Sequence, residues 1–164
     1  MTPFTPEALE RLRADVALVL SPKRYAHTLG VEQTTAEMAA LYAPEKEGML
    51  RAAALLHDLT KEYGEKDTAR VLESAGVIPR TDELASPQIL HAMTAPAEIS
   101  RRYPALATRE LLSCVRWHTT GRAGMTLCEA ILYLADVIEP GRTYPACVAL
   151  RERFFTKEIS SLFN

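Results

Sequence analysis

A chain of 164 residues, 48% apolar and 24% charged, has the make-up of an ordinary globular protein and enough length to bury about two-thirds of its unfolded surface. Its 19 basic and 21 acidic residues leave a net charge of −2, without the basic excess that grips a nucleic-acid backbone. No apolar run approaches the roughly 18 residues of a membrane span, and the start lacks the basic-then-apolar order of a signal peptide. The three cysteines, Cys114, Cys128 and Cys147, form no C-x-x-C pair, so a reduced, cytoplasmic setting is expected, with no membrane and no nucleic acid as partner.

Helical signals run nearly throughout. Thr5-Pro6 offers an N-cap with proline at the first helical position, opening a helix to about Leu20. Ser21-Pro22 repeats the signal for a second helix, ending near Tyr42 before Pro44. A third is predicted from about Glu45 to Leu59, where Met49, Ala52, Ala53 and Leu56 fall at the spacing of a buried stripe. A shorter one, Lys66 to Ala75, stops at Gly76. Ser86-Pro87 starts a helix that carries His91 and is expected to break near Pro96. Thr108 to His118 and Thr126 to Ile138 follow, then a last amphipathic segment from about Pro145 to Phe163. No period-two run of β-branched residues bounded by turns is present. The expectation is all-α: one domain over residues 1–164, a bundle of seven to nine helices.

Two features fit poorly with stability alone. His57-Asp58 closes the apolar third helix, although aspartate at a helix C-terminus opposes the macrodipole. Asp136 sits inside the otherwise apolar run Ile131-Leu132-Tyr133-Leu134-Ala135-Asp136-Val137-Ile138. A buried carboxylate needs hydrogen bonds or a cation, or it takes up a proton. A divalent metal is such a cation, and imidazole with carboxylate suits iron, manganese or zinc better than calcium. The four histidines, His27, His57, His91 and His118, lie on separate predicted helices or at their ends. Arg24, three residues before His27, shares its face and would suit a phosphate. Singly, each has an ordinary reading: a core or surface histidine, an aspartate capping a neighbouring helix or paired with an arginine, a solvated arginine. H-E-x-x-H, P-loop and G-x-G-x-x-G motifs are absent.

The ordered set His27, His57-Asp58, Asp136 resembles the signature of the HD-domain superfamily of metal-dependent phosphohydrolases. Arg-Tyr-Ala-His-Thr-Leu-Gly-Val (24–31), Ala-Leu-Leu-His-Asp-Leu-Thr-Lys (54–61), Ile-Leu-His-Ala (89–92), Trp-His-Thr-Thr-Gly (117–121), Met-Thr (125–126) and Tyr-Leu-Ala-Asp-Val-Ile-Glu-Pro-Gly-Arg (133–142) look like its YqeK-type branch, the symmetrical bis(5′-nucleosyl)-tetraphosphatases, which cleave diadenosine tetraphosphate into two ADP. The resemblance covers about residues 20–151. It implies that His27, His57, Asp58 and Asp136 hold iron, with manganese or another divalent metal as the alternative. It implies that Arg24, Asp58, Leu59, Thr60, Lys61, His91, His118, Thr119, Asp136 and Arg142 contact the nucleotide. His91 and His118 either serve there or complete a second metal position. Members of the branch typically continue past the last helix into a short tail that helps enclose the nucleotide. This sequence stops at Ser161-Leu162-Phe163-Asn164, so that enclosure is expected to be lacking or made otherwise.

The expected chemistry is hydrolysis by an activated water that Asp58 orients. Lys61, Arg24 and Arg142 would meet charge on the phosphoryl oxygens, and His118 would protonate the leaving ADP. Thr119 and the Gly121-Arg122-Ala123-Gly124 loop would either donate hydrogen bonds to phosphate or, for the loop, simply join two helices. The competing functions are another HD nucleotide phosphohydrolase, a nucleotide-binding regulatory module with little turnover, and a purely structural bundle. Apolar surface on the first or last helix would support a homodimer.

Overall fold

The computed structural model describes residues 2–155, and within them the chain forms nine α-helices and two short 3-10 turns, with no strand. The end of the last predicted helix, beyond Phe155, and the chain's final residues lie outside the described residues. α1 (Pro6–Val19) and α2 (Pro22–Tyr42) start where expected, Thr5 accepting from the Ala8 amide and Ser21 from the Arg24 amide. Each hydroxyl satisfies one of the amides that a helix start leaves unpaired. A 3-10 turn, Pro44–Lys46, leads into α3 (Glu47–Leu56), which is shorter than predicted. The chain leaves α3 through a series of turns over residues 57–62, and His57 and Asp58 sit at this exit. α4 (Glu65–Ser74) is closed by Gly76 at φ +64°.

A four-residue helix, α5 (Thr81–Leu84), and a 3-10 turn, Pro87–Ile89, precede α6 (His91–Arg102). The predicted break at Pro96 does not occur: α6 passes through it. Proline removes one i→i−4 bond, but Ala92, Met93, Thr94, Ala95, Glu98 and Ile99 are all buried, and that packing outweighs the missing donor. α7 (Arg109–Trp117) and α8 (Leu127–Ile138) are capped by Thr108 and Thr126, the latter in a full capping box with Glu129. α9 (Pro145–Phe155) follows.

α3 is the axis of the bundle. Residues Ala52 to Leu56 are completely buried, as befits a stretch of helix that is apolar on all sides. α1, α2, α7 and α8 pack around it, α2 also lies against α8, and α6 closes on α7. Buried Glu32 of α2 ties the layers together, accepting from Arg13 of α1 and Arg51 of α3. Consequently the ends of α3, α6, α7 and α8 meet the second turn of α2 at one place. Among the described residues no helix is long and apolar enough to cross a membrane. Leu50→Ala, in the buried wall of α3, is expected to destabilise the fold by about 2–5 kcal/mol. Leu18→Ala, at an 86% exposed position, should stay within about 0.5 kcal/mol; urea midpoints at unchanged m-value check both.

Candidate metal centre

Three helix ends and one helix face deliver the four imidazoles. His57 caps the C-terminus of α3, and its Nδ1–H donates to the Ala54 carbonyl at 2.6 Å. His118 does the same at the end of α7, onto Val115 at 2.6 Å. His91, the first residue of α6, donates to Gln88 at 2.9 Å. In each case the acceptor lies three residues earlier, a carbonyl that the helix or turn end leaves without an amide. His27, on α2, differs: its Nδ1 lies 3.1 Å from Oε1 of Glu139, the residue that caps α8. Carbonyl and carboxylate oxygens only accept, so the neutral rings carry their proton on Nδ1 and turn the Nε2 lone pair inward.

Asp58 stands where those lone pairs meet. It is 3% exposed. Its Oδ2 lies 3.4 Å from His57 Nε2, 3.8 Å from His27 Nε2 and 2.8 Å from Arg24 Nη1. Its Oδ1 lies 3.2 Å from His91 Nε2 and 3.8 Å from His118 Nε2. Asp136 of α8 approaches from the other side, Oδ1 3.0 Å from His27 Nε2, and Arg142 grips both its carboxylate (3.0 Å) and its carbonyl (3.2 Å). The Ser21 hydroxyl and amide bind Glu62 at 2.6 and 2.8 Å, which ties the start of α2 to the turns after α3 and keeps Arg24 opposite Asp58.

The electrostatics follow from this crowding. Burial alone would lower the pKa of His57, but Asp58 and Asp136 reverse that and raise it to about 9. Burial would raise the carboxyl pKa values of Asp58 and Asp136, yet the facing imidazoles hold both below the usual carboxylate range. Burial depresses His91 and Lys61. Two buried Nε2 atoms, those of His27 and His57, have no hydrogen-bond partner among the described residues. Unsatisfied buried nitrogens aimed at two ionised carboxylates fit a cation between them. Ligand atoms of His27, His57 and Asp136 lie within 4.8 Å of one another, and so do those of His57, Asp58 and His118. The nitrogen-and-oxygen donor set suits a first-row transition metal.

Not every expected residue presents its side chain to this centre. The Leu59 side chain belongs to the core, and the Thr60 hydroxyl donates to the His91 carbonyl (3.1 Å) and meets Thr94 (2.7 Å). Both brace the centre from behind. The Lys61 ammonium reaches the Gln88 carbonyl (3.1 Å) beside the His91 ring (3.3 Å). Thr119 Oγ1 lies 2.9 Å from His118 Nε2 and 3.2 Å from His91 Nε2. Of the two readings of the 121–124 loop, the helix connection is the better fit: Arg122 is drawn onto buried Glu129, 2.9 Å away. Gly121 and Gly124 take φ of +62° and +64°, as a tight turn requires. Glu139 is the residue that sequence reasoning passed over, although it stands in the quoted Asp-Val-Ile-Glu-Pro-Gly-Arg stretch, one helical turn after Asp136. Beside the centre a cavity of about 820 Å³ opens, lined by Lys23, Arg24, His27, Gln33, Arg142 and Tyr144 among others. That is ample for a nucleotide.

A family model for the HD domain matches residues 24–141. A protein of Halalkalibacterium halodurans named "Bis(5′-nucleosyl)-tetraphosphatase, symmetrical" is 34% identical over 149 residues, covering 88% of this chain and 78% of its own. Its namesake in Bacillus subtilis is 32% identical, covering 87% and 75%. The Staphylococcus aureus protein of the same name is 31% identical, covering 84% and 70%. The crystal structure of an HD superfamily hydrolase from Clostridium acetobutylicum, described as involved in NAD metabolism, superposes with a TM-score of 0.79 at 28% identity, over 88% of this chain and 75% of that one. With the paired His57-Asp58 at the hub of four converging imidazoles and the family model spanning most of the sequence, this chain belongs to the HD domain family.

Proposed function

We propose that this protein is a metal-dependent hydrolase that cleaves diadenosine tetraphosphate symmetrically into two ADP. The observation that carries the reading is the meeting of opposite needs at one spot. Inward-facing Nε2 atoms and two ionised carboxylates call for a cation, and Arg24, Lys61 and Arg142 stand around them ready for anionic oxygens. The names of three relatives that match along most of this chain support the same substrate.

In this reading His27, His57, Asp58 and Asp136 hold iron, with manganese or another divalent metal as the alternative, and His91 and His118 hold a second ion or the nucleotide. When bound, such an ion supplies positive charge against the phosphoryl oxygens and acidifies water. The protein supplies the rest. Asp58, fixed by Arg24 and two imidazoles, accepts a hydrogen bond from the attacking water and aims it at phosphorus. Arg24, Lys61 and Arg142 meet the charge that develops on the equatorial oxygens. Preorganised charge of this kind is often the largest catalytic contribution. Lys61, its pKa lowered by burial, loses little hydration when phosphate arrives. Where no second ion is held, His118 in its doubly protonated form donates from Nε2 to Thr119 Oγ1, which frees the Thr119 hydroxyl hydrogen for a phosphate oxygen, and that Nε2 proton is the one passed to the leaving ADP. The free thiols of Cys114, Cys128 and Cys147 support a reduced, cytoplasmic setting.

Diadenosine tetraphosphate is expected to yield ADP alone; a mixture of ATP and AMP, separated by ion-exchange chromatography, excludes symmetrical cleavage. The same preparation should contain iron or manganese close to stoichiometry by elemental analysis, and Asp58→Ala should lose it. Lys61→Met, which leaves every proposed ligand intact, should lower kcat by about 10²-fold with metal content unchanged; lost metal would show that Lys61 serves the centre's structure.

A pH signature follows from His57. Its pKa rises from 6.5 to about 9 on folding, so the bound proton stabilises the metal-free protein. That contribution is fully present below pH 6.5 and is lost as the pH climbs towards 9. Asp58 and Asp136, with lowered pKa values, contribute in full above the unfolded carboxylate range, lose that contribution only at lower pH, and are constant in this window. Between pH 6.5 and about 8.5 the melting temperature of chelator-treated protein should fall, while the metal-loaded form, whose cation replaces that proton, should stay level. A level curve for both would remove His57 from the field of the carboxylates.

A further inference from the structure

Three of the four imidazoles lean on a backbone carbonyl, whereas His27 alone leans on a side chain, the carboxyl group of a glutamate held inside the protein. Glu139 is 3% exposed. Its Oε1 takes the His27 Nδ1–H at 3.1 Å, and its Oε2 takes the Gly141 amide at 2.6 Å. Its backbone is held as firmly: Arg151 of α9 donates to the carbonyls of Ile138, Glu139 and Arg142.

The room for this carboxylate is cut by two glycines. A Cβ built on Gly30 would lie 2.5 Å from Glu139 Oε2, and one on Gly141 would lie 2.9 and 3.0 Å from its two oxygens. Neither glycine has a positive φ, so backbone conformation does not account for them. Gly30 also lies in the middle of α2, where glycine is a poor helix former. It stands one turn after His27, on the same face. A helix-weakening residue retained there leaves space for a carboxylate against the imidazole.

We propose that Glu139 is the positioning residue of the metal centre: its carboxylate, housed in the Gly30–Gly141 notch, fixes His27 in the Nδ1–H form and turns Nε2 towards Asp136. A carboxylate behind a ligating imidazole also raises the basicity of the nitrogen that faces the ion, which a carbonyl does more weakly. His27 is thereby distinguished from His57, His91 and His118 by the charge behind it. The proposal rests on the reading of this cluster as a metal site.

The test uses the whole chain and manganese(II) alone as ligand, with affinity measured by competition against a chromophoric chelator. Glu139→Ala should weaken binding by about 10–100-fold, and Glu139→Gln, whose amide oxygen still accepts from Nδ1–H, should recover part of the loss. A purely structural role predicts equal affinity in all three. The notch is read without metal. Gly30→Ala should lower the melting temperature of the chelator-treated protein, although alanine is the better helix former. In the Glu139→Ala background the same substitution should raise it. If Gly30→Ala stabilises both backgrounds, or Glu139→Ala binds manganese as tightly as the wild type, the proposal is overturned while the metal reading stands. A wild type that takes up no divalent ion overturns both.

Discussion

A single buried carboxylate organises this protein. Asp58 sits 3% exposed at the exit of the central helix, where no aliphatic neighbour can solvate its charge. An isolated ion there would cost several kcal/mol. Arg24 on one oxygen and imidazoles on both turn that cost into an anchoring point. Everything near the centre is arranged to make Asp58 tolerable. The apolar wall of α3 carries it inward, the ends of α6 and α7 bring His91 and His118 to its Oδ1, and α2 brings Arg24 and His27 to its Oδ2. α8 contributes Asp136, whose own charge is balanced by Arg142.

Helix termini are put to use in this arrangement. Each α-helix leaves carbonyls unpaired at its C-terminal end. At α3 and α7 a histidine placed three residues beyond such a carbonyl satisfies it through Nδ1 and so presents Nε2 to the interior. One hydrogen bond thus closes the helix and selects the tautomer. The same economy explains why aspartate is tolerated next to His57, against the macrodipole: the helix end is where the imidazoles gather, and their pull outweighs an effect of about 0.3–1 kcal/mol. His27 lies in the second turn of a helix, not at an end, and its partner has to come from elsewhere in the chain, 112 residues away at Glu139.

The helices themselves were largely legible from local chemistry. Thr5, Ser21, Thr108 and Thr126 all cap where the sequence signals them, because an N-cap is decided by a hydroxyl and an amide three residues apart. Gly76 ends α4 for the same kind of reason. Structure and local signals part where packing overrules propensity. Pro96 is carried through α6 by the buried residues around it, and the polar segment over residues 81–84 forms a helical turn whose Glu83 pairs with Arg116, 33 residues away. α3 stops three residues early because His57 turns back onto Ala54 and the chain must leave the core.

For the centre, the sequence by itself determined which residue types had to be reconciled: carboxylates set in apolar helical runs, beside or near the few histidines, with Arg24 one turn from His27. That much follows from spacing and from the cost of burying charge. Only the tertiary structure decided how they meet: which oxygen of Asp58 faces which ring, that Thr60 and Leu59 turn inward, that Arg122 is drawn away to Glu129, and that Glu139 backs His27 through a gap left by Gly30. Spacing along a helix specifies a face. The pairing of faces from α2, α3, α6, α7 and α8 depends on how those helices pack, and no local periodicity carries that information.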